Sequence, residues 1–477
     1  MAIILPSNTL AAGGFSVANS CRFNDGDSPS LSKTMVAGST DFAKKFTISV
    51  WFKLGATSGA RPICSFGSGT SNAIDLLIDT NSKATFESWD GSVNPKLATN
   101  RLLRDHSAWY NIVVAVDTTQ ATDTNRMKMY INGVQETSFA SSTYPSENYA
   151  FPNIASTSDT MKIGNGGQYN SNYFDGYIAE FVYCDGQVLA PTSFGEYNED
   201  SPTIWQPIDV SGLTFGNAGT YVDFEDSGNL GDDESGNTND FTENNIAATD
   251  QSTDTPTLNY PTLSPLVLGS YATLSEGNLH LNGNTSSDSG ACYATIAFPK
   301  SGKWYLEEKM TDAVGQFPES GIQNDTETSN FQALLNASGG IPHKTNGSSI
   351  NCSGNISVDG SSAHSISAIT DGQIKQFAID MDNGAVYYGL NNTWYNSGDP
   401  TSGSSRTGAI DTWTAGTRTN TVYGTVAYNG SDSETNFGSP TYANSSDAAD
   451  ADGSGQFEYA PPTGYFALNS KNIAEYG

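Results

Sequence analysis

Two short stretches combine aromatic rings with side-chain amides. Tyr169, Asn170, Asn172 and Tyr173 lie in QYNSNYF, and Asn391, Asn392, Trp394 and Tyr395 lie in LNNTWYN. A flat ring beside a few well-placed polar groups is the chemistry of a sugar site, so these eight residues are the candidate glycan-binding groups. The plainer reading of each is a turn aromatic that covers the edge of a core. A third stretch, VDFEDSGNLGDDESGNTNDFTENN, is dense in carboxylates. Its Asp223, Asp226, Asp232 and Asp233 are the candidate ligands for Ca2+, a hard cation that takes carboxylate and carbonyl oxygens. The spacing is not that of an EF-hand loop, and a solvated connector accounts for the same residues. No cofactor is therefore expected, with Ca2+ as the single candidate.

Catalytic patterns are missing from the sequence. A glycosidase needs two carboxyl groups facing one cleft. Glu180 has no acidic neighbour two or four residues away, and Asp75 and Asp79 are separated by an apolar run. Glu307 and Glu308 are adjacent, so on a strand they face opposite ways. His106, His280, His343 and His364 form neither HxH nor HExxH. The expectation is a binding or structural protein, not an enzyme.

The elements that carry these residues read as strands. Phe46, Ile48, Val50 and Phe52 alternate with Thr47, Ser49 and Trp51, which is the period of a half-buried strand. Tyr177 to Cys184 is apolar on both faces and so expects cover on both. Tyr177, Ala179, Phe181 and Tyr183 are expected on one face, with Ile178, Val182 and Cys184 on the other. Asp185-Gly186 is expected to turn that strand into a hairpin whose return begins at Val188. Asn132-Gly133 and Asn383-Gly384 signal two further hairpins. Many short strands, abundant turn residues and no helical period predict an all-β chain of two jelly-roll β-sandwiches. The expected division is a sandwich over 1–200, an acidic, partly ordered connector over 201–265, and a second sandwich over 266–477.

The chain has 477 residues and a formal net charge of −30. A surface this acidic repels phosphate backbones and anionic lipid, so neither nucleic acid nor membrane insertion is expected. The five cysteines form no CxxC pair and no even framework, which predicts buried thiols of a protein made in a reducing compartment. The start, MAIILPSNTLAAGG, has no basic n-region and is not expected to act as a secretion signal.

FTISVWFKLG, WYNIVVAVD, MYINGVQ, MKIGNG and FDGYIAEFVYCDG, in that order, resemble the strands of a laminin G-like domain of the concanavalin A-like class over about residues 10 to 200. KWYLEEKM, FAIDMDNGAVYYGLNNTWY, NFGSPTY and PPTGYFALNSKNI resemble a SPRY-type domain over about 275 to 475. The whole order resembles virion structural proteins of tailed, marine-type bacteriophages. That resemblance implies a tail-fibre or tail-tip component of the virion, made in the host cytoplasm. It also implies contacts with other virion proteins and with host-surface polysaccharide, and a homotrimeric state. The alternatives are a head decoration or capsid fibre protein and, from another class, a polysaccharide depolymerase.

Overall fold

Alternation of apolar and small polar residues makes Lys45–Leu54 the spine of the first half of the chain. In the computed structural model, Phe46, Ile48, Val50 and Phe52 of this strand all point into one core and are fully buried. The structure describes residues 14–69, 72–91, 94–169, 171–199, 201–284, 289–313, 318–324 and 346–477. Two units divide between Thr257 and Leu258.

The first unit is a sandwich of two eight-stranded antiparallel sheets. The back sheet runs Val134–Gln135, Met127–Ile131, Trp109–Asp117, Lys45–Leu54, Gly176–Asp185, Ser20–Phe23 and Gln251–Ser252, and Thr220–Val222 also pairs with Gly176–Asp185. The front sheet runs Phe139–Thr143, Lys96–Leu102, Lys83–Trp89, Asn72–Ile78, Arg61–Gly69, Thr160–Ile163, Ser30–Thr34 and Thr242–Asn244. The Asn132-Gly133 turn forms as its residue types require, with φ of 48° and 77°.

Three expectations change. The long strand Gly176–Asp185 carries a bulge at Glu180, whose φ is +48°, and the register with Lys45–Leu54 shifts between Ala179 and Val182. One extra residue reverses the alternation beyond it. Ile178, Phe181 and Tyr183 therefore share the central core, while Tyr177, Ala179, Val182 and Cys184 face outward. The hairpin at Asp185-Gly186 does not form, because both edges of the strand's end are already taken by Lys45–Leu54 and Thr220–Val222. The Asp185 carboxylate instead accepts the Ser39 and Ala218 amides at 2.8 and 2.9 Å, and Val188 is left exposed.

The third change concerns the acidic connector. Residues 201–257 belong to the first unit. The back sheet's outer face carries Trp51, Trp109, Tyr177 and Val182, too much apolar surface to leave in water. Trp205 covers the first three, and Val210, Phe215 and Tyr221 cover Val182 and Cys184. The segment then adds Thr242–Asn244 to the front sheet and Gln251–Ser252 to the back sheet. It is a strap around the sandwich, and its polar residues make the turns between these contacts.

The second unit is also a two-sheet sandwich. One sheet of seven strands runs Leu263–Leu268, Ser289–Ala294, Thr421–Tyr428, Glu319–Asn324, Gly347–Asn351, Asn355–Val358 and Ser361–Ser365. The nine-stranded partner is centred on Asp432–Asn436, Lys303–Asp312, Ile374–Asp380 and Ala385–Leu390. Trp304, Leu306, Phe377, Tyr388 and Tyr423 are at the heart of its core. All five cysteines are buried free thiols. Among the described residues, no helix is long and apolar enough to cross a membrane.

Candidate functional site

The front sheet presents a polar row on its outer face. Ile74 and Leu76 of Asn72–Ile78 point into the core, so Asp75 between them points out. Register then fixes its neighbours: Lys96, Glu87, Asp75, Ser65, Lys162 and Ser32 lie opposite one another across six adjacent strands. Facing residues in an antiparallel ladder have Cβ atoms about 5 Å apart, so Asp75 and Glu87 form a neighbouring carboxyl pair. Glu87 accepts the Lys96 ammonium at 2.6 Å. Lys162 donates to the Asn165 side chain at 2.9 Å, and Ser65 donates to the Asn165 carbonyl at 2.9 Å.

The loop after Thr160–Ile163 folds over the middle of this row. Asp75 accepts the Gly167 amide at 2.7 Å and the Gln168 amide at 3.0 Å, one on each oxygen. A Cβ on Gly167 would stand 2.6 Å from the Ala73 Cβ, so only glycine lets the loop approach so closely. Burial under the loop raises the Asp75 carboxyl to about 6, against the pull of the two amides. Tyr169 is half-buried, and its hydroxyl is raised to about 12 by burial and by the nearby Glu87 carboxylate. The result is a half-buried aromatic ring beside a row of charged and hydroxyl side chains.

Of the candidates read from the sequence, Tyr169 joins this row. Asn172 shapes the loop, donating its amide to the Tyr169 carbonyl at 2.7 Å and accepting Asn165 Nδ2 at 2.9 Å. Tyr173 is half-buried and bridges to Asn165. Asn170 lies outside the described residues. Sequence reasoning missed Asp75 and Glu87 as a pair, together with Lys96 and Lys162, because only the strand register brings them together.

In the second unit, Asn391 and Asn392 are the exposed central residues of a tight turn, with φ of 45° and 65°. The Asn391 side chain accepts the Ile374 amide, and the Asn392 amide donates to the Gln376 side chain. Trp394 and Tyr395 are half-buried against the core, which is the plainer reading of both.

The four candidate metal ligands do not converge. Asp233 accepts the Tyr221 and Asn239 amides and the Thr220 hydroxyl, and these bonds hold its carboxyl below its ordinary range despite burial. Asp223 accepts the Glu225 amide, Asp226 the Gly228 amide, and Asp232 the Asn229 side chain. Among the described residues, no group of three or more His, Cys, Asp or Glu is placed to hold a metal ion.

The two-sheet sandwich is a frame found in known proteins. Residues 27–189 match the concanavalin A-like lectin/glucanases superfamily. The first unit is thus a lectin/glucanase-like β-sandwich. No curated protein gives a significant match to the chain. Among solved structures, similarity is found to the SPRY domain of human HERC1, with 13% identity over 36% of this chain and 96% of that one and a TM-score of 0.26. It is also found to the CBM40 of a Ruminococcus gnavus IT-sialidase bound to α2,3-sialyllactose, with 17% identity over 31% and 88% and a TM-score of 0.23. A third is domain 4 of AbnA, an arabinanase from Geobacillus stearothermophilus, in complex with arabinotriose, with 16% identity over 33% and 66% and a TM-score of 0.25.

Proposed function

We propose that this chain binds carbohydrate on the outer face of its front sheet, around Tyr169, Glu87, Lys96 and Lys162. The observation that carries this reading is the half-buried Tyr169 ring beside the Glu87 and Asp75 positions of a row of polar side chains. A ring offers an apolar face to a pyranose, and flanking carboxylate and ammonium groups exchange hydrogen bonds with its hydroxyls. The work is binding rather than cleavage. Both Asp75 oxygens accept loop amides, and Glu87 is engaged by Lys96.

The wider setting we propose is a tailed-phage virion, with the chain as a tail-fibre or tail-tip component that meets host-surface polysaccharide. Many copies there would multiply a weak contact. The ordered laminin G-like and SPRY-like strand series supports it, and a head decoration protein would carry the same series.

A polysaccharide depolymerase is the second reading, favoured by Asp75 and Glu87 facing each other across two paired strands, since a glycosidase uses two carboxyl groups in one cleft. A glycan array followed by calorimetry on the best ligand separates the two. Tyr169→Ala is expected to weaken binding about tenfold, the loss of one stacking contact of ~1.4 kcal/mol, with no release of reducing ends by the wild type. Unchanged affinity in Tyr169→Ala would remove this face as the site. Release of reducing ends that stops in Glu87→Gln would establish the enzyme.

A further inference from the structure

Trp89 stands on the same outer face as the polar row of the front sheet. It follows Glu87 by two residues on Lys83–Trp89. The pairing with Asn72–Ile78 is continuous here, with Glu87 opposite Asp75 and Trp89 opposite Ala73, so the two side chains share one face. Same-face neighbours along a strand are about 7 Å apart. Trp89 is 37% exposed, although the five residues before it are buried. The loop that carries Tyr169 comes down beside it. Gly167 packs on Ala73, the residue paired with Trp89, and Tyr169 lies near the Glu87 carboxylate. Two aromatic side chains therefore adjoin one carboxylate, Trp89 from along the strand and Tyr169 from the loop.

The charges of the row are already matched. Lys96 Nζ is 2.6 Å from Glu87, Lys162 donates to the Asn165 side chain at 2.9 Å, and Asp75 accepts two loop amides. Two ammonium groups and two carboxyl groups balance one another across the face. An acidic sugar would bring a negative charge to this balanced row, on a chain whose formal net charge is −30, and would be repelled by it. Neutral hydroxyls donate and accept at once, so they suit a row of paired donors and acceptors.

Taking carbohydrate binding at Tyr169 as proposed above, we infer that this face takes a chain of two or more neutral pyranose units, with one sugar on Tyr169 and a neighbouring one on Trp89. A single sugar covers one ring. A chain covers both, and its second contact comes with little further loss of translational freedom. Affinity should therefore rise steeply between one unit and the next few. No ion pair is made to the ligand, so added salt should change the affinity little.

The test places the full-length chain on an array of glucans, mannans and galactans, printed as single sugars and as chains of two to six units, beside polyuronates and sialylated glycans. Calorimetry follows on the strongest neutral hexasaccharide and on its single sugar. The wild type is expected to bind the chain at least about tenfold more tightly than the single sugar. Trp89→Ala should lose about tenfold on the chain, the worth of one stacking contact, and nothing on the single sugar. Trp89→Phe should keep part of the gain, and its melting temperature should match that of the wild type. Tyr169→Ala should weaken both ligands. If Trp89→Ala and Trp89→Phe bind the chain as the wild type does while Tyr169→Ala does not, the second platform is overturned and the carbohydrate site stands. Equal affinity for chain and single sugar, or a preference for polyuronate or sialylated glycans, overturns the neutral-chain ligand in the same way. An array with no bound glycan, or binding untouched by any of these substitutions, removes the site and its extension together.

Discussion

At the scale of single residues, the buried pair of Glu308 and Lys375 ties the two sheets of the second sandwich together. Glu308 bridges from its own sheet to Thr425 of the opposite sheet, and Lys375 reaches Ser320 there. Removing one member leaves the other charged, buried and unpaired. Lys375→Met is therefore expected to cost about 3–5 kcal/mol in urea unfolding. The double change Lys375→Met with Glu308→Leu should recover most of that loss, because it removes both desolvation penalties. If the double variant is no better than the single one, the pair contributes packing that its charge does not explain. Glu307, its neighbour, turns to the other face as adjacent strand residues must. It accepts the Glu458 and Tyr459 amides, and burial raises its carboxyl to about 7.

At the scale of elements, the bulge at Glu180 and the strap act together. Glu180 is buried, accepts the Tyr221 hydroxyl at 2.9 Å, and is raised to about 8 by burial, with Asp223, Glu225 and Asp209 adding to the rise. The folded state thus holds a proton that the unfolded chain gives up in the ordinary carboxyl range. Stability from this group is present at acid pH and is lost as the pH rises through about 8. Asp75 and Glu307 have the same sign. Melting temperature is expected to fall between pH 5 and about 8, and Glu180→Gln should flatten that slope. An unchanged slope would show that Glu180 ionises without consequence. Asp233 has the opposite sign, since its carboxylate is stabilised by the strap's own amides. Asp233→Ala should cost about 3 kcal/mol, whereas excess EDTA should leave the melting temperature unaltered. A large EDTA effect would mean that the acidic turns do hold a cation.

These elements also mark where sequence reading stops. The inward face of Lys45–Leu54 was legible because nothing interrupts its period of two. The face of Gly176–Asp185 was legible only as far as Ala179, since no residue type announces a bulge with Glu in the left-handed region. The strap looked like a connector because its composition is that of turns, while its few apolar residues, Trp205, Phe215 and Tyr221, are the ones that do the covering. The pairing of Asp75 with Glu87 depends on the register of two strands, which alternation alone does not fix. Tyr169 was legible from its own loop, without any sign of the carboxyl row beneath it.

At the scale of the whole molecule, the two units have separate apolar cores. Calorimetry is expected to resolve two unfolding transitions. Lys375→Met should lower one, and Asp233→Ala the other. A single transition displaced by both substitutions would show that the units unfold as one.

The back sheet sets a timetable for its own completion. Its Ser20–Phe23 strand leaves the ribosome well before either of its two neighbours, Gly176–Asp185 and Gln251–Ser252. At about 5–20 residues per second, the earliest strand waits on the order of 10–50 s for the last one to be synthesised. Through that interval, Lys45–Leu54 and Trp109–Asp117 can already pair, but the apolar outer face they build has no strap. Nascent chains of this protein would therefore spend their synthesis with Trp51 and Trp109 uncovered, a state that a chaperone at the tunnel exit would recognise and that the mature fold conceals.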